Sequence, residues 1–288
     1  MKKILLPAFI AATLTLSCGN KNATGNTQNN GVDSVDTTEN IEEKSESVER
    51  LSTDSATFNQ EGKRTRVEVK VEYPTSGSDA LKNILCEFIS EELGGTYKGD
   101  VSDVKAMVKY YGKQAYNDLT KERNENEDNA DAFYEKDFYV KKIYETNTFV
   151  TFSSQNYVMT GGAHGGTTSI ATTFRKSDGR RFGTDMLRNT ASEGFCKLLK
   201  EGFRQYFTEM TGKAMDDEEL QQQIITDNVI DALPLPVTPP YLTNNGVAFT
   251  YQQYELVCYA AGMPGFTIPY SKMRPYLTQT VLKMVEGK

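Results

Sequence analysis

The sequence predicts an α+β fold, an antiparallel sheet packed with several helices and open to division into two subdomains. Three observations carry this. Strand-period and helix-period segments are grouped rather than strictly alternating. Two hairpin signals, Asp178-Gly179 and Asn244-Asn245-Gly246, sit between short alternating runs. Long amphipathic stretches flank those runs, with Ser or Thr at their starts and Gly at some of their ends.

Residues 64–73 place Val67, Val69, Val71 and Tyr73 on one side and Glu68, Lys70 and Glu72 on the other, a half-buried strand ended by Pro74. Ser78 is positioned to cap a helix over 79–93, which carries Leu81, Ile84, Leu85, Phe88 and Ile89 on one face and stops at Gly94-Gly95. Val101, Val104, Met107, Val108, Tyr111, Ala115 and Leu119 define a second helix, and the acidic run Asn124–Asp131 reads as a solvated loop. Strands follow at 137–144, 147–158 and 168–175, the last turning through Asp178-Gly179 into Arg180–Phe182. Thr190-Ala191-Ser192-Glu193 has capping-box form and opens a helix to about 209 that buries Phe195, Leu198, Leu199, Phe203 and Phe207. An acidic helix is predicted over 216–226, where Asp216, Asp217, Glu218 and Glu219 suit the positive end of the helix dipole. Pro234, Pro236, Pro239 and Pro240 exclude helix and central strand from 233–240. Tyr241-Leu242, Val247–Tyr251 and Phe266–Pro269 read as short strands, and Ser271 as the cap of a last helix to about 285.

The N-terminal fifth of the chain has a different character. Lys2 and Lys3 precede an apolar stretch, Ile4–Leu14, of signal-peptide length and too short to span a bilayer. Leu14-Thr15-Leu16-Ser17-Cys18 resembles the lipobox of bacterial lipoproteins, with Thr15 where the stricter pattern has Leu. The resemblance implies cleavage after residue 17, lipid on Cys18 and a membrane partner through that lipid. Residues 18–60 are rich in Asn, Thr, Ser, Gly and acids, too poor in apolar surface to offset ordering entropy, and are expected to form a disordered tether. The body then divides into 61–150 and 151–288. No acidic residue follows directly in Gly19-Asn20-Lys21-Asn22, so the expected placement is the outer membrane, facing the periplasm.

Charge and composition exclude some partners. Of the net charge of −7, residues 1–18 carry +2 and 19–60 carry −5, leaving −4 for 61–288. That lacks the basic footprint of nucleic-acid binding. Cys86, Cys196 and Cys258 match no zinc spacing; they are either three packing residues or one disulfide and a free thiol. A single histidine argues against a metal-dependent hydrolase, and no Gly-x-Ser-x-Gly elbow is present. No cofactor or metal site is expected.

Two strings are distinctive. Tyr157-Val-Met-Thr-Gly161-Gly162-Ala163-His164-Gly165 resembles the Tyr-x-x-x-Gly-Gly-Ala-His-Gly signature of the RsiV/PdaC-type extracytoplasmic domain family of unknown function (DUF3298). Gly246–Phe249, Tyr254-Glu255-Leu256, Ala260-Ala261-Gly262 and Ile268-Pro269-Tyr270 to Tyr276-Leu277 follow the same family's C-terminal half, and 61–150 resembles its DUF4163-like companion region. The resemblance implies a binding domain outside the cytoplasm, with a lysozyme-like protein or peptidoglycan as ligand. The ligand-contacting candidates are Tyr157, Gly161, Gly162, Ala163, His164 and Gly165. For His164 itself three roles stay open: shaping a tight strand connection, touching ligand, or serving as the catalytic histidine of an envelope hydrolase acting on cell-wall glycan or peptide. Mass spectrometry of the mature protein is expected to find an acylated Cys18 at the N-terminus; an unmodified one would remove the anchor.

Overall fold

The computed structural model describes residues 50–126 and 131–287. The leader, Cys18 and most of the tether lie outside the described residues, as do 127–130 of the acidic loop. Among the described residues, nine strands and six helices follow in order: β1 Thr53–Glu61, β2 Thr65–Pro74, α1 Asp79–Leu93, α2 Val104–Glu125, β3 Tyr134–Glu145, β4 Phe149–Thr160, β5 Gly166–Arg175, β6 Arg181–Phe182, α3 Glu193–Thr211, α4 Asp217–Gln221, β7 Tyr241–Leu242, β8 Gly246–Thr250, β9 Gly265–Pro269, α5 Tyr270–Met273 and α6 Gln279–Val285. The architecture is α+β. A six-stranded sheet runs β1-β2-β3-β4-β5-β6 and a three-stranded sheet β7-β8-β9. Among these pairs only β2 and β3 are parallel. The reason is that α1 and α2 lie between them, and such a crossover returns the chain in the same direction.

Side-chain alternation gives the large sheet two unlike faces. Val67, Val69 and Val71 join Phe138, Val140, Val150, Phe152 and Phe174 against Leu81, Leu85, Phe88, Met107 and Val108 of the two long helices. A second core gathers Phe195, Leu199, Phe203 and Phe207 of α3 with Val247, Phe249, Phe266 and Ile268 of the small sheet and with Phe149. Both cores lie in one compact unit, Ser47–Lys288. The large sheet runs through the expected 150/151 division, because Val150 lies inside β4. The small sheet docks on a buried polar seam. Thr151 Oγ1 donates to the Leu242 carbonyl (2.8 Å), Leu242 N–H donates to Thr173 Oγ1 (2.8 Å), and the two threonine hydroxyls meet at 2.9 Å.

Other expectations need correction. Residues 53–60, assigned to the tether, form most of β1. Ala56 is buried, and Phe58 packs where Gly112 of α2 leaves room; a Cβ at Gly112 would lie 2.2 Å from the Phe58 ring. Two apolar residues in a polar run carry little sequence signal, yet pairing with β2 and this close helix approach suffice. Of the acidic run 124–131, residues 124 and 125 belong to α2. The helix at 193 is capped by Ser192, whose hydroxyl accepts from Phe195 N–H; Thr190 lies outside it and no capping box forms there. A reciprocal box does form at Asp216 and Glu219, but it opens a helix of five residues only. Ser271 lies within α5 and caps nothing: Pro275 ends that turn, and α6 starts anew at Gln279. The three described cysteines are free, with no disulfide among them, and packing accounts for only part of the set. Cys86 is buried, Cys196 half-buried and Cys258 exposed. Burial, aided by Asp100 and Glu87, pushes the Cys86 thiol up to about 11. Among the described residues no helix is long and apolar enough to cross a membrane.

Glu145 joins three parts of the chain. It accepts from Leu51 N–H (2.5 Å), Lys142 Nζ (2.7 Å) and Lys176 Nζ (2.9 Å), tying the entry to β1 to the end of β3 and the turn after β5. Burial favours its neutral form, but Lys142, the Leu51 amide and Lys176 together outweigh that and hold its pKa below the usual carboxylate value. Its stabilisation is therefore present above pH ~4.5 and is lost as pH falls through the lowered folded value. Glu145→Gln is expected to cost roughly 2 kcal/mol at pH 7 in urea unfolding, with the gap narrowing below pH ~4.

Candidate functional site

The sheet face opposite α1 and α2 is covered by the small sheet only at one end. Strand register arranges the remainder in rows. Glu68, Asp137, Tyr157 and Thr167 are successive cross-strand neighbours, as are Lys70, Tyr139, Gln155 and Ser169. Beside the first row, Arg66 donates from Nη1 to Glu68 (3.1 Å) and from Nη2 to Asp137 (2.9 Å), and it also pairs with Glu135. Tyr139 donates its hydroxyl to Glu68 (3.3 Å). Burial raises the Asp137 pKa more than Arg66 lowers it, and its Oδ1 is buried with no hydrogen-bond partner. Along the second row lies a groove of about 420 Å³, whose lining includes Lys70, Glu72, Tyr139, Lys141, Gln155 and Ser169.

The predicted string borders this face. Tyr157 points from β4, and Gly161 and Gly162 turn the chain at φ 85° and 92°, a region that favours glycine. Ala163 and His164 are exposed at the loop tip. Gly165 lies under the Tyr157 ring, where a Cβ would come within 2.4 Å of it. Burial first, then Glu135, Tyr259 and Asp137, raises the pKa of the Tyr157 hydroxyl.

His164 has partners far away in sequence. Its ring stacks on Tyr259 with centroids 3.7 Å apart. Nδ1 lies 3.0 Å from the Gly165 carbonyl and Nε2 3.1 Å from the Tyr254 hydroxyl. A carbonyl only accepts, so Nδ1 donates, and in the neutral ring Nε2 accepts from Tyr254. Tyr254, at φ 63°, belongs to a loop docked on the edge of β5 by two glutamines. Gln252 accepts from Ser169 N–H (2.9 Å) and donates to Ser169 O (2.8 Å), while Gln253 accepts from Thr167 N–H (2.8 Å). Glu255 braces the loop by accepting from Gln252 N–H and Val237 N–H. Tertiary structure thus brings together Tyr157, His164 and Gly165 with Tyr254, while Gly161, Gly162 and Ala163 serve the turn. Sequence reasoning placed Tyr254 in a resembling segment without assigning it a role, and it missed Tyr259, Gln252 and the Arg66 cluster. The polar alternation of β2 was the available signal for the last of these. Among the described residues, no three His, Cys, Asp or Glu side chains are grouped to hold a metal ion.

Comparison with known proteins bears on this arrangement. Residues 185–271 match the family model described as protein of unknown function (DUF3298). The match begins beyond β6 and ends in α5, so it takes in Tyr254 and Tyr259 but not Tyr157–Gly165. Two solved structures share the fold. A DUF3298 family member from Bacteroides fragilis NCTC 9343 is 22% identical, with a TM-score of 0.63 over 83% of this chain and 98% of that one. A DUF3298 family protein from Pseudomonas aeruginosa PAO1 is 16% identical, with a TM-score of 0.57 over 81% of this chain and 97% of that one. No curated protein matches the chain.

The packing under Tyr157 makes Gly165→Ala the sharper of two glycine tests. It is expected to lower stability by about 1–3 kcal/mol, because the new methyl must displace the ring. Gly166→Ala meets nothing within 4 Å and should stay within about 0.5 kcal/mol in the same urea titration.

Proposed function

We propose that this protein is an envelope binding protein of RsiV/PdaC type, anchored through lipid on Cys18, with residues 61–150 as its DUF4163-like companion region. Its open sheet face holds peptidoglycan in the periplasm. The observation that carries this reading is the convergence of Tyr157, His164, Tyr254 and Tyr259 at the rim of an uncovered polar face that contains a groove. Peptidoglycan offers hydroxyl, amide, carboxylate and amine groups together. The face answers with tyrosine rings, free amide and hydroxyl groups, and charges of both signs. A lysozyme-like protein would bury a far larger area around an apolar centre, and the rows of this face are polar. Both His164 nitrogens are occupied, by a carbonyl and a phenol, which suits a ring held in place more than one poised to move protons.

Co-sedimentation of the full-length chain with purified sacculi tests this reading. Retention is expected, with Lys141→Glu weakening it about tenfold and Lys272→Glu, in α5 away from the groove, leaving it unchanged. Failure to bind sacculi while a lysozyme-type hydrolase is captured would transfer the ligand to the protein class. Release of soluble fragments that is abolished by His164→Ala would make the protein the envelope hydrolase instead.

A further inference from the structure

A second site lies at the C-terminal end of the fold, built from a strand-like clasp. Arg188 N–H donates to the Tyr276 carbonyl (2.9 Å), Thr278 N–H donates to the Met186 carbonyl (2.9 Å), and Leu187 pairs with Leu277 as an isolated antiparallel bridge. The clasp pins Arg188 against the turn at 274–276. Its Nε donates to the Pro275 carbonyl (3.1 Å), which orients the guanidinium plane and leaves the Nη groups outside that bond. Arg274, on that turn, pairs with Glu286 beyond α6, and Lys283 projects from α6 one turn before Glu286. These four side chains, with Ser271 and Gln279, line a cleft of about 370 Å³.

The charge balance of this cleft is unlike that of the chain. Three cations and one carboxylate line it, in a protein whose formal net charge is −7. Among the described residues neither Arg188 nor Lys283 has a carboxylate partner. Backbone bonds hold Arg188 beside the turn that carries Arg274, and like charges held together are relieved by a bound anion. A guanidinium's N–H groups suit a tetrahedral oxyanion, Lys283 adds a point charge, and Ser271 and Gln279 add neutral donors.

We propose that this cleft binds a phosphate group through Arg188, Arg274 and Lys283. The site is separate from the open sheet face and stands whatever ligand that face holds. Free phosphate and the phosphate of a glycerophospholipid headgroup are the two sources that share this recognition. Calorimetric titration of the full-length chain in non-ionic detergent at low salt tests the proposal, with inorganic phosphate, glycerophosphoglycerol and acetate as probes. Saturable phosphate or glycerophosphoglycerol binding is expected, weakened about tenfold by Arg188→Gln and by Lys283→Gln and unchanged by Lys272→Gln. Tighter binding of glycerophosphoglycerol than of phosphate assigns the site to a headgroup, and the reverse order assigns it to soluble phosphate. The proposal is overturned if neither phosphate probe binds, if acetate binds equally well, or if both variants titrate like the unaltered chain.

Discussion

The structure depends on one stretch of β4 and its partner in β5 being buried on both faces. Phe149 enters the core under α3, whereas Val150 and Phe152 enter the core under α1 and α2. Thr151, between them, must face the small sheet, and with Thr173 it supplies hydroxyls to the backbone of Leu242. An aliphatic residue at Thr151 would leave the Leu242 carbonyl without that donor in a buried seam, at the cost of an unsatisfied polar group. Because the seam occupies only the near end of both strands, the far ends remain open on one side. The polar face exists because the second core stops short of it.

A short strand creates the second half of the site. β6 pairs only with Thr173 and Phe174, so residues 166–170 of β5 present an unpaired edge. Such an edge invites association with another chain unless something covers it. Here the cover is made of side-chain amides. Gln252 supplies both a donor and an acceptor to Ser169, as a neighbouring strand would, and Gln253 serves Thr167. Anchoring the loop in this way carries Tyr254 and Tyr259 to His164. Edge protection and site assembly are the same set of bonds.

The electrostatics of the open face follow from crowding in one row and its neighbour. Three carboxylates, Glu68, Glu135 and Asp137, gather on Arg66, and burial leaves Asp137 with a raised pKa despite that cation. One guanidinium can orient three acids, yet it neutralises only one charge. The groove alongside carries Lys70 and Lys141 with Glu72, so the face offers both signs within a few rows of a pleated surface. A ligand bearing several kinds of polar group is better suited to it than one that is purely anionic or apolar.

Local patterns were readable where one element decides its own fate. Val67, Val69 and Val71 alternate because one face of β2 is buried, and Ser78 with Gly94 bounds α1 because caps are local hydrogen bonds. The turns at Asp178-Gly179 and Asn244-Asn245 are local for the same reason, as is the tight connection made by the glycines around His164. β1 carries little local signal because Ala56 and Phe58 gain their burial from β2 and Gly112, which lie elsewhere in the chain. Ser271 misled because Pro275, four residues on, outranks a capping hydroxyl. For the site, the sequence by itself determined which residues could stand on the polar side of each strand and that the 161–165 loop must turn sharply. Only the tertiary structure decided that His164 meets Tyr254 and Tyr259 some ninety residues away. It also decided that one end of the face stays open, since sheet register and the docking of one core against another are properties of pairs of segments, which no single segment encodes.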